Sequence, residues 1–427
     1  MINKNFKCFN LFLMVFLLAF LVFVSFSSVT GANPINIDNS TSDGGIKNAV
    51  DNLDNNGTLF LDNGIYSGVN NTNILINKNV TIVGKDKQST IIDGSGISRI
   101  FNITSGNSLT LINLTIRNCK SDIGGSIYSQ GSLTLENCIF TNNSAVYNID
   151  NPISGYGGAI AIFGNVDNVN IINSTFDSNN ATGLGGVFYF DGKVNGINIA
   201  NSNFYNNYGA LGGGLYINNT FNGNLRITNS TFRGNNASGP GGAICFNNEV
   251  NGSVIIINSS FNNHSSFGIG GAICFMNSIN GSVSIVDSDF ISNNVSGPGG
   301  AIYFGNMIEG PVNIVNSTFM NNTCFGNGGA IYFGNINNSV SIVDSSFVEN
   351  SVSGPGGAIY FGGDIFGNLK IINSSFDSNS AIGPGGAISF GNIGGDVILA
   401  NSTFNRNSAI GPGGAIYFGF GMIIMVL

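Results

Sequence analysis

Apolar and polar residues alternate in short bursts along most of this chain. Around residue 300, Ile302 and Phe304 alternate with Tyr303, and Val312 and Ile314 alternate with Asn313. A period of two sends successive side chains to opposite faces, so these bursts predict β-strands. Gly and Asn punctuate the chain every few residues, and no apolar set of period three to four fills any unit, which excludes helices there. One segment differs. Ile46, Ala49, Val50 and Leu53 stand at i, i+3, i+4 and i+7, the spacing of a short amphipathic helix.

The bursts recur. Gly-Gly-Ala-Ile returns with its Ala at 243, 272, 301, 330, 358, 387 and 415, in steps of 28 or 29 residues, and Ala159, Val187 and Gly214 hold the same place in degenerate copies. A second marker, Phe-x-x-Asn, keeps step with it at Phe176, Phe204, Phe232, Phe261, Phe290, Phe319, Phe347, Phe376 and Phe404. Repeats of this length signal a solenoid, in which each unit buries its apolar face against its neighbours. Three short strands and three turns fit one unit. The fold class expected is therefore all-β: a single-stranded right-handed parallel β-helix with a short N-terminal capping helix. Coils should rise by about 4.8 Å, the strand spacing of a sheet, giving a rod of about 60 Å for roughly thirteen coils.

Stacking puts like over like. Asn173, Asn201, Asn229, Asn258, Asp287, Asn316, Asp344, Asn373 and Asn401 form one ladder, at a turn where Asn tolerates the left-handed conformation and can bond its neighbour. Asn179, Asn207, Asn235, His264, Asn293, Asn322, Asn350, Asn379 and Asn407 form a second. The repeat Phe should point inward and stack on its copies. The Gly-Gly-Ala site reads as a tight corner with no room for larger side chains. Between Asn137 and Asn173 the step lengthens, so a protruding loop is expected near Val146–Gly155.

Both ends depart from the repeat. Lys4 and Lys7 precede an apolar run from Leu11 to Val24, then a small-residue stretch with Thr30-Gly31-Ala32 as a cleavage site. Residues 1–32 read as an export signal whose apolar run is shorter than a membrane span; the rival reading is an uncleaved N-terminal membrane anchor. Residues 33–125 read as the cap and irregular coils, and 126–420 as the regular β-helix. In 421–427 the chain passes into an apolar tail. Exposed parallel edges are normally protected, so this tail reads as the truncated end of a longer chain, or else as a flap over the last coil.

Composition narrows the function. Charged residues make up 8% of the chain and the net charge is −8. No basic cluster follows the leader, which argues against nucleic acid, whose binding rests on Lys and Arg at phosphates. Five of six Cys lie beyond the signal, an odd number without metal-ligand spacing. Cys245 and Cys274 hold equivalent positions on neighbouring coils. They form a candidate disulfide, with two stacked thiols as the equal alternative.

Catalytic sets are not apparent. Asp287 and Asp289 are two apart, as strand neighbours on one face would be, but Asp287 merely replaces Asn in its ladder. The lone His264 likewise substitutes in the Asn ladder. Lys193, Arg226, Arg233, Lys370 and Arg406 are scattered without an acidic cluster. No cofactor is implied. One surface feature reads as functional: Tyr189, Tyr216, Tyr303, Tyr332, Tyr360 and Tyr417 each follow the inward residue after the corner. They are expected to face outward in a column, a candidate stripe for binding glycan or a partner protein. The plainer reading is self-stacking along the ladder.

With Gly-Gly-Ala-Ile and Phe-x-x-Asn in each coil, the chain resembles the repeat of chlamydial polymorphic outer membrane proteins. The leader region, Gly57-Thr58-Leu59-Phe60-Leu61 with Asn79-Val80-Thr81-Ile82-Val83-Gly84 and Thr90-Ile91-Ile92-Asp93-Gly94, is similar to the start of adhesin-like proteins of methanogenic archaea. The resemblance covers about residues 33–420. It implies a pectin-lyase-like β-helix, secretion or surface exposure, and adhesion to extracellular glycans or surface proteins. The alternatives are a carbohydrate-active enzyme on the same fold, or a truncated relic.

Overall fold

The computed structural model describes residues 34–40, 44–420 and 424–426. The export signal at 1–32 and most of the tail at 421–427 lie outside the described residues. Alternating strands need partners on both edges, and all but the terminal strands of each sheet find them in the preceding and following coils. Val312, for instance, pairs with Val283 below and Val340 above. The result is a parallel β-solenoid, wound in the right-handed sense that parallel crossovers take.

One coil shows the construction. Val312–Val315 belongs to sheet 1, Thr318–Met320 to sheet 2, Thr323–Cys324 to sheet 3 and Ile331–Ile336 to sheet 4. The sheets hold 15, 13, 11 and 13 strands, so a regular coil has four strands where the alternation pattern predicts three. The extra strand is two residues long, too short to display a period. Sheet 3 begins only at Lys120–Ser121; the coils before it lack that side.

Turns between sheets 1 and 2 are made by one left-handed residue, Asn173 at φ 51° through Asn401 at φ 50°, with Asp287 and Asp344 in the same conformation. Asp287 thus sits in a turn and accepts a hydrogen bond from Asn316 Nδ2 at 2.6 Å. It is not the strand partner of Asp289 that the spacing suggests. At the corner before sheet 4, Gly299 has φ 75°, and a Cβ on Gly300 would collide with the carbonyl oxygen of Gly329. The Gly-Gly pair is there for clearance.

Four ladders fill the interior. The repeat Phe rings stack from Phe140 to Phe404, as at Phe347–Phe376 with centroids 4.8 Å apart. A second stack runs from Phe246 to Phe418. Beside them lies a buried amide ladder. Asn322 Oδ1 accepts from both the backbone N–H and Nδ2 of Asn293, and Asn322 Nδ2 donates to Asn350 Oδ1 and to the Phe290 carbonyl. The polar atoms of the Asn322 side chain are thereby satisfied, as burial demands. A serine ladder, Ser174 through Ser402, works the same way, each hydroxyl accepting the backbone N–H of its counterpart one coil earlier. At the N-terminal end the helix Gly45–Asn52 forms as expected, and Ile46, Ala49 and Val50 join the core. Ile424–Val426 adds a parallel strand to sheet 1 at the other end.

Candidate functional site

The tyrosine column exists but is not uniformly exposed. In-register pairing places Tyr189 over Tyr216, then Cys245, Cys274, Tyr303, Tyr332, Tyr360, Ser389 and Tyr417 on the outer side of sheet 4. Tyr189 and Tyr216 are only 2% and 3% exposed. They belong to a second small hydrophobic cluster with Ala161, Cys245 and Cys274, against which the corner residues Tyr156, Leu184 and Leu211 pack. Burial raises both phenol pKa values, and the Tyr189 hydroxyl donates to Asp191. These two tyrosines therefore stabilise the corner and offer no ring face to a ligand. Tyr303, Tyr332, Tyr360 and Tyr417 are half-buried; Tyr303 and Tyr332 stack at 4.8 Å, which favours the self-stacking reading.

Cys245 and Cys274 face each other across one strand spacing, both fully buried and both free thiols. Their sulfurs interact, and desolvation raises the Cys274 pKa well above its ordinary value. The candidate disulfide is thus a pair of stacked thiols in this structure. Cys119, Cys138 and Cys324 are also free and buried, and burial suppresses thiolate chemistry.

His264 is buried and takes the place of an amide in the interior ladder. Its Nδ1 lies 3.1 Å from the Asn235 nitrogen, while Nε2 has no hydrogen-bond partner among the described residues. Desolvation pushes its pKa down to about 4. No acid faces it in hydrogen-bonding contact, so it has neither a catalytic partner nor access. Among the described residues no group of three or more His, Cys, Asp and Glu could hold a metal ion.

Among the described residues, Arg99 makes the most extensive polar contacts of any cation. It donates to Gly124 O, Asn102 Oδ1, Ser121 Oγ and Asp122 Oδ1, and lies over the Tyr128 ring. Asp122 in turn accepts from Asn151 in the segment 146–155. This clamp anchors a loop that carries exposed Tyr147, Ile149 and Ile153, at the position where the lengthened step predicts a protrusion.

Two grooves run along the rod. One follows sheet 3 in the C-terminal coils, where exposed Phe325, Ile382 and Ile410 flank a column of hydroxyls. Those hydroxyls are engaged with one another: Thr323 donates to Asn294, and Ser380 to Ser351. The other, about 660 Å³, lies on the outer face of sheet 1 at the N-terminal end. Its floor is a column of threonines brought together by register, Thr58, Thr81 and Thr110, with Thr134 continuing it. Sequence reasoning missed this column. Its signal was present in the alternation Thr-Leu-Phe, Thr-Ile-Val, Thr-Leu-Ile, but the spacing between early coils is irregular and hid the alignment.

Known proteins bear on this rod as follows. The Chlamydia polymorphic membrane protein repeat matches residues 137–162, 316–334 and 401–419. Each match begins at a left-handed Asn (Asn137, Asn316 and Asn401) and ends inside a strand of sheet 4. They run in phase with the structural coil, from the turn after sheet 1 into sheet 4. Those three stretches of the β-solenoid are similar to that repeat. No curated protein matches the chain. The mannuronan C-5 epimerase A-module of Azotobacter vinelandii aligns over 89% of this chain and 95% of its own, at 12% identity and a TM-score of 0.22, too low for any argument about fold or activity.

Proposed function

We propose that this protein is a non-catalytic extracellular rod of adhesin type, displayed at or beyond the cell surface, that binds glycans or proteins of neighbouring cells or contributes to the cell envelope. The observation that carries this reading is the phase agreement between the polymorphic membrane protein repeat and the coil. Such repeats, by the resemblance drawn above, imply surface exposure and adhesion. The physical build supports it. Side chains that vary from coil to coil lie on the outside, while phenylalanine, asparagine and serine ladders hold the inside constant, so the sides can be adapted for contact without disturbing the fold.

The polar chemistry also supports a binding role. The buried ionisable groups described above are tied into structure: the thiols and the imidazole are desolvated and Arg99 is clamped. Catalysis would need an acid and a base converging on one accessible point.

The test pairs adhesion with turnover. Beads coated with purified protein should attach to cells or isolated envelopes, and antibody should label intact producing cells. Incubation with polyuronates and neutral polysaccharides should release no reducing ends and no unsaturated products. Product release would replace this reading with the carbohydrate-active enzyme; absence of both attachment and surface labelling would leave the adhesin reading without support.

A further inference from the structure

We infer that the groove on sheet 1 of the first coils is a binding site for a neutral polysaccharide chain lying along the rod axis; this rests on the adhesin reading and names its ligand class. The site is built from three parallel columns, each advancing one residue per coil. The middle column is Thr58, Thr81, Thr110 and Thr134, all half-buried, and their hydroxyls take no hydrogen bond among the described residues. Beside it runs an apolar column, Phe60, Val83 and Ile112, in which Phe60 is 40% exposed. The rim is made of Asn56, Asn79 and Ser108.

Rim and floor differ in one decisive respect. Asn79 donates to Asn56 Oδ1 and accepts from both the backbone N–H and the hydroxyl of Ser108, so the rim is rigid and largely satisfied. The threonine hydroxyls are held on strands paired on both edges, in line, with their hydrogen-bonding capacity left over. A ligand meeting them must offer polar groups at a regular interval along the axis, close to the strand spacing of about 4.8 Å. It must also offer an apolar face to Phe60, Val83 and Ile112. A polysaccharide does both, since each sugar carries hydroxyls at its edge and C–H groups on its face.

Charge decides the class. None of the residues lining the groove is charged. On the flank, Lys85 and Asp62 neutralise each other at 2.8 Å. In the next coil the apolar column ends at Glu136, which would repel a polyanion. A polyuronate or a nucleic acid would find no counter-charge here, whereas a neutral glycan pays no such penalty. The sheet 3 groove is the weaker candidate, because its hydroxyls already bond one another.

The experiment uses the full chain and a panel of soluble neutral polysaccharides (β-glucan, mannan, xylan) with polygalacturonate as the charged comparison, read by affinity electrophoresis and calorimetry. At least one neutral polymer should bind, with affinity unchanged between low and high salt. The double variant Thr81→Val/Thr110→Val removes two hydroxyls while keeping shape and strand propensity. It should weaken binding about tenfold, as expected for two lost hydrogen bonds, with an unchanged melting temperature. Ser351→Ala/Ser380→Ala in the other groove should bind like the wild type. No binding to any neutral polymer, equal binding to polygalacturonate, or unaltered affinity of the threonine variant would each overturn the inference. Coated beads of that variant that still attach to cells would separate this failure from that of the adhesin reading.

Discussion

At the scale of single residues, position in a ladder determines what each side chain can do. An interior asparagine is satisfied because the amides above and below repeat its geometry. His264 interrupts that repetition, and its Nε2 has no partner among the described residues. Its pKa near 4 in the fold, against an ordinary value of 6.5, means that the unfolded chain binds more protons in the interval between. Stability is therefore full above about pH 6.5 and falls as the pH drops towards 4, by up to about 3 kcal/mol for this one group. His264→Asn restores an amide able to donate to Asn293 Oδ1 and the Phe232 carbonyl. Melting curves at pH 7 and pH 4.5 should show a smaller difference for His264→Asn than for the wild type. An unchanged difference would place the acid sensitivity elsewhere.

At the scale of the element, stacking turns identical strands into columns whose members depend on their neighbours. Phe319 lies between Phe290 and Phe347, with centroids 4.9 Å from each, and is fully buried. Phe319→Ala should cost about 3–5 kcal/mol, because the columns on either side cannot close the gap. Phe325, six residues on, is 71% exposed, and Phe325→Ala should change stability by less than about 0.5 kcal/mol. Denaturant unfolding of the two variants reads the contrast directly. Equal effects would contradict the division into inward and outward columns. The same logic explains why Tyr189 and Tyr216 are covered while Tyr303 is half-open. Leucine at 184 and 211 packs over the earlier tyrosines, and Pro298 stands at the equivalent corner of Tyr303's own coil.

At the scale of the whole molecule, the sheets act as one continuous stack of about 14 turns. At about 4.8 Å per coil the rod is about 65 Å long. Small-angle scattering from the purified chain should give the profile of an elongated particle of that length; a compact profile would contradict a single stack. Strand pairing joins only adjacent coils, so stability is nearly a sum over neighbours. Damage at one coil should therefore loosen its vicinity first, leaving the far end to bind. That arrangement suits a protein whose proposed groove lies in the first coils, capped by the helix Gly45–Asn52.

Much of this was legible in the chain itself. Gly-Gly-Ala-Ile and Phe-x-x-Asn in register establish the coil length, the inward phenylalanines, the left-handed asparagines and the tight glycine corner, because a solenoid repeats its local geometry and so writes it many times. What the chain could not display was anything depending on fewer residues than a period or on contacts across coils. The two-residue strand of sheet 3, the burial of Tyr189 and Tyr216, the burial of Cys245 and Cys274, and the threonine column over irregularly spaced coils were decided by tertiary packing. Register between coils, not spacing within one, determines which side chains meet.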